Sequence, residues 1–102
     1  MSAQYYESMK EFELLRLKTY IDAYNVIIAP LQKRHNEFLE LLSDPRDWPH
    51  AAIDKGNDWV YINKWQLDDA RRRLAGLHHQ YEEATKRYNH LINIAKKNSN
   101  AE

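Results

Sequence analysis

Nine residues, Leu67, Ala70, Leu74, Leu77, Tyr81, Ala84, Tyr88, Leu91 and Ala95, recur at alternating spacings of three and four. Such a repeat averages about 3.5 residues, close to one turn of α-helix, so a helix is the backbone that puts all nine on one side. A seam this narrow is buried by packing against another helix, as in a coiled coil. Asn63 followed by Gln66 has the spacing of a capping box, and Lys96 and Lys97 suit the negative end of a helix dipole. The second helix is therefore expected over about 64–97.

A matching seam precedes it: Leu14, Leu17, Ile21, Tyr24, Ile28, Leu31, His35, Phe38 and Leu42. The first helix is expected over about 4–42. Tyr5, Met9 and Phe12 lie in a different phase, which indicates a stutter or an end that packs elsewhere. Pro30 removes one helical hydrogen bond and frees the Val26 carbonyl, so the helix is either kinked there or broken near Ala29. Both alternatives preserve an antiparallel path.

Folding the two seams together with partner numbers that sum to about 109 sets Phe38 against Ala70, Tyr24 against Ala84 and Ile28 against Tyr81. Large against small is what close packing requires. The intervening tip, 43–64, changes character. It holds Pro45, Pro49, Trp48 and Trp59, with Trp65 just beyond it and Lys55, Gly56, Asn57 and Asp58 in a turn-like run. Pro49 can open a helical turn. Ala51 to Ile53 and Trp59 to Ile62 can instead form a short β-hairpin with Gly56 at positive φ, since Trp59, Val60, Tyr61 and Ile62 favour strands. The expected fold is thus mainly all-α, a single domain over 1–102. It is a long antiparallel helical hairpin with coiled-coil-like arms and an irregular or short β-hairpin tip. A helix–β-hairpin–helix plan of this kind is similar in layout to prefoldin-type chaperone subunits, a likeness without a shared motif.

Composition narrows function by exclusion. Cysteine is absent, which removes disulfide frameworks, thiolate metal clusters and thiol nucleophiles. Fifteen basic and 15 acidic side chains balance, so there is no global attraction to nucleic acid or anionic membranes and little repulsion against self-association. The longest apolar run, Val26 to Leu31, is far below the roughly 20 residues that span a bilayer. The start lacks a signal-peptide pattern, and a soluble cytoplasmic protein is expected.

His78 and Glu82, or His79 and Glu83, share a helix face at a spacing compatible with metal binding, but no motif such as HExxH occurs and no metal site is expected. His35 faces inward and is expected to be a hydrogen-bonded core histidine. No residue set has a catalytic arrangement, so no enzyme activity and no cofactor are expected.

Apolar residues exceed what one hairpin seam needs. Tyr20, Ala23, Val26, Ile27, Leu39 and Leu41 in the first helix, and Ile92 and Ile94 in the second, fall outside the seams. Burying them favours assembly into a four-helix bundle, with a homodimer the simplest form. The expected function is a non-enzymatic protein–protein interaction module: an adaptor, an assembly or chaperone-like subunit, or an inhibitor of a larger protein. Its expected anchors are Trp48, Trp59 and Tyr61 in the tip and Trp65 just after it, Tyr20, Tyr24 and Ile27 on the first helix, and Gly76 as a place of close helix approach. The alternative is a small nucleic-acid-binding regulatory protein whose basic-aromatic tip uses Arg46, Lys55, Lys64, Arg71 and Arg72.

Overall fold

The computed structural model describes residues 2–43 and 49–101, with the side chains of residues 50, 51 and 99–101 excepted. These residues form two helices, α1 over Ala3–Ser43 and α2 over His50–Ala101, and no strand occurs among them. The chain is a helical hairpin. Ser2 starts α1, its hydroxyl oxygen accepting from the Tyr5 amide at 3.3 Å and its carbonyl from the amides of Tyr5 and Tyr6. Pro49 starts α2, its carbonyl accepting from the amides of Ala52 and Ile53 at 2.9 and 3.1 Å. A proline immediately before a helix forfeits no helical hydrogen bond, and its ring presets the entering backbone. Pro30 lies inside α1, which runs through it as a single helix.

Two compact units make up the chain, one of Met1–Ala23 with Ala75–Glu102 and the other of Tyr24–Leu74. In the first unit Leu17, Ile21, Ala84 and Ile92 are buried. Antiparallel pairing is marked by Lys10 Nζ donating to Asn89 Oδ1 at 2.7 Å and by a Lys96 to Glu7 ion pair at 3.6 Å. Tyr6, Lys10 and Leu14 turn partly inward at successive spacings of four, whereas Tyr5, Met9 and Phe12 are exposed. The phase break is therefore a stutter, and the residues it displaces face water. In the 24–74 unit Leu67, Ala70 and Asn63 are buried, and Phe38 of α1 stacks on Trp59 of α2 with ring centroids 6.5 Å apart.

The tip is where the structure departs from expectation. Residues 53–64, expected as strands or irregular chain before a helix starting at about 64, belong to α2. Ile53, Gly56, Val60 and Asn63 continue the spacing of three and four that begins again at Leu67, and each is buried or half-buried. The β preference of Trp59 to Ile62 is worth tenths of a kcal/mol per residue and yields to a seam shared with α1. Without a β-hairpin, the layout likeness to prefoldin-type subunits loses its basis. Asn63 is not a cap but an inward residue in mid-helix.

Moving the turn also changes the register. Phe38 meets Trp59 where Ala70 was expected, a slide of about eleven residues or about 16 Å along the helix. Tyr24 correspondingly lies beside Arg73, not Ala84. A hairpin's register follows from where the chain reverses, and a connection between Ser43 and His50 places that point well before the middle of the expected tip.

The glycines exchange roles. Gly56 does not occupy a turn at positive φ: it is helical, and a Cβ added there would stand 2.9 Å from Leu42 Cδ2. Gly76 has nothing within 4 Å of its would-be Cβ, so it is not a point of close helix approach. Replacing a helical glycine with alanine gains about 1 kcal/mol where space is free. Gly76→Ala is expected to raise the melting temperature by about 4–8 °C. Gly56→Ala, which must displace Leu42, is expected to gain less or to lose. Thermal melts followed by circular dichroism give the comparison, and an equal gain at both sites would contradict the packing of Leu42 on Gly56.

Candidate protein interface

The 24–74 unit has two flanks beside its seam, and they differ in chemistry. On one, Gln32 of α1 accepts from the Arg71 guanidinium of α2, and the Gln32 amide donates to Asn36 Oδ1 at 2.9 Å. Asn25, Asn57 and Lys64 occupy equivalent heptad positions, leaving Leu39 as the exposed large apolar residue in that line. The opposite flank carries Ile27 and Leu41 of α1 and Trp59 and Ile62 of α2, each 48–53% exposed. Between its helices runs an open groove of about 450 Å³ lined by Tyr24, Ile27, Leu31, Trp65, Asp69 and Arg73 among others.

Arg73 closes one end of that groove with a salt bridge from Nε to Asp69 Oδ2 at 3.0 Å. Its hydrogen bond to Asp69, then the attraction of that carboxylate, then the Tyr24 phenol raise its pKa above the ordinary arginine value, so it is a permanent cation. At the tip end, Phe38, Leu41, Leu42, Ile53 and Gly56 surround an apolar recess of about 170 Å³.

A polar layer interrupts the seam beneath these flanks. Asn63 is 3% exposed; its Nδ2 donates to the Leu31 carbonyl at 2.9 Å, while its Oδ1 is buried with no partner among the described residues. His35, one turn beyond Leu31, also has a buried Nδ1 without a partner there. An Asn within a heptad seam costs stability and discriminates against other registers, because any slide would oppose it to an apolar residue.

The expected anchors distribute unevenly. Tyr24, Ile27 and Trp65 line the groove, and Trp59 stands beside it through its stack on Phe38. Tyr61, at 74% exposed, sits on the outer side of α2. Tyr20 is exposed in the other unit, Gly76 has open space, and Trp48 lies outside the described residues. Ile62 and the Asp69 to Arg73 bridge are not among the expected residues, and Leu41, expected only as surplus apolar surface, joins this flank. The legible signal for them was the seam itself, which extends unbroken to Ile53 and so assigns every flank position from 53 onward.

Of the residues expected for nucleic-acid contact, Arg46 lies outside the described residues and Arg71 is engaged with Gln32. Lys55, Lys64 and Arg72 are exposed at three different heptad positions, so they form no single stripe. Arg73 pairs with Asp69, and Glu83 with Lys86 at 3.9 Å. The other unit has a broad groove of about 860 Å³ whose lining mixes Lys10, Lys18 and Lys96 with Glu7 and Glu11. Among the described residues no group of three or more His, Cys, Asp or Glu could hold a metal ion, and no helix is long and apolar enough to cross a membrane. Comparison with protein-family models, with curated proteins and with solved structures found no match to this chain.

The polar layer makes a direct test. Asn63→Leu removes an unpaired buried carbonyl oxygen and adds apolar contact, so the melting temperature is expected to rise by several degrees, corresponding to about 1 kcal/mol or more. Asn63→Asp places a carboxylate in the same site and loses the donor to Leu31, and the melting temperature is expected to fall. A drop for the leucine variant would show that Asn63 stabilises the seam.

Proposed function

We propose that this chain is a non-enzymatic protein–protein interaction module of the cytoplasm, acting as an adaptor, an assembly or chaperone-like subunit, or an inhibitor of a larger protein. The observation that carries the reading is an inverted apolar balance. Fourteen large hydrophobic side chains are exposed among the described residues, while six hydrophobic residues, two of them alanines, are buried. Isolated exposed apolar residues are ordinary on a protein surface, but these include the aligned flank of Ile27, Leu41, Trp59 and Ile62 beside a groove. Covering such a flank with helices of another chain completes a bundle, and a homo-oligomer, in the simplest case a dimer forming four helices, is the assembly this hairpin suits. Tryptophan and arginine, here Trp65 and Arg73 lining one groove with Trp59 on the same helix, are residue types that dominate interface energetics.

The test is affinity capture from a native extract with the full chain and with a Trp59→Ala, Trp65→Ala variant of unchanged helicity. A stoichiometric protein species, whether a second copy or another chain, is expected with the native sequence and is expected to be depleted with the variant. Recovery of nucleic acid alone, with affinity collapsing between about 50 and 200 mM salt, would instead support the nucleic-acid reading.

A further inference from the structure

We infer that the flank of the 24–74 unit bearing Ile27, Leu41, Trp59 and Ile62 is the contact surface for a second copy of this chain, which presents the same flank about a twofold axis. The inference rests on the interaction reading above and specifies its partner and face.

Three observations favour a second copy on this side. The first is the contrast between flanks: the Gln32 side is tied by Arg71 and Asn36, whereas on the Trp59 side Ile27, Leu41, Trp59 and Ile62 are exposed beside the Arg73 to Asp69 bridge at the end of the groove. A helix of a bundle needs a second apolar line next to its seam, and α1 and α2 both provide one here on the same side.

Charge is the second. The flank and its margin mix signs, with Arg34, Lys55 and Arg73 against Glu37 and Asp69. Such a mixed surface can meet itself, since a twofold axis can bring cations of one copy toward carboxylates of the other. The whole chain is neutral. A partner of one strong charge sign has nothing here to select it.

Shape is the third: the groove beside Tyr24 and Leu31 offers a recess into which an apolar side chain of the second copy can enter.

Because the chain has no cysteine, the face can be mapped without background. The full chain is expected to sediment as a dimer from micromolar concentration upward. Ile27→Asp and Ile62→Asp, at positions already half exposed, are expected to keep native helicity and to weaken dimerisation by about tenfold or more. Under mild oxidation, Ile62→Cys is expected to form an intermolecular disulfide quickly, and Asn57→Cys on the polar flank slowly or not at all. A monomer at every concentration would overturn the inference, and if that monomer still captured another protein through Trp59 the broader interaction reading would survive. A dimer insensitive to both aspartates and linked through Asn57→Cys would overturn the choice of face alone.

Discussion

The structure depends on one constraint, the seam of α2 that keeps a spacing of three and four from Ile53 to Ala95. Each of its residues is buried or half-buried, and none breaks phase. A helix that places all these residues on one side cannot also place 53–62 in a β-hairpin, because strand geometry would send alternate side chains to opposite faces. Helix continuity from His50 through Trp65, and the slide of α2 along α1, follow from that single periodicity.

Within the seam, stability gives way to specificity at two points. Gly56 is a poor helix residue, yet its missing Cβ admits Leu42. Asn63 leaves one oxygen unpaired in the interior, yet its amide nitrogen ties α2 to the Leu31 carbonyl of α1. Both act against register slips, to which a regular heptad pattern is prone. A hairpin so narrow has little interior, and its large side chains outside the seam remain at the surface. The fold and the proposed function are linked through this geometry: two helices cannot enclose both an inner stripe and a flank.

Much was legible in the sequence. The seam from Leu67 onward, the bounds of α1 to within one residue and the phase break around Tyr5, Met9 and Phe12 all follow from spacing, and spacing survives into the structure because backbone geometry is local. The expected surplus also persists, with Tyr20, Val26, Ile27, Leu39, Leu41 and Ile94 exposed; Ile92 alone among the large members of that group is buried. The tip was misjudged where local signals competed with a longer one. Trp59 to Ile62 resemble a strand, Asn63 resembles a cap and Gly56 resembles a turn, each within a window too short to show that their neighbours keep the heptad.

The sequence by itself determined that this chain forms helices, which side of each faces inward, and that apolar residues outnumber the places available for them in one hairpin. Tertiary structure decided which residues meet: Phe38 with Trp59, Leu42 with Gly56, Leu31 with Asn63. It also decided that Ile27, Leu41, Trp59 and Ile62 share a flank, and that Gly56, not Gly76, is the place of close approach. The reason is physical. Periodicity states the direction of a side chain around its own axis, whereas the residue opposite depends on where the chain reverses, and that is fixed by contacts between segments far apart in sequence.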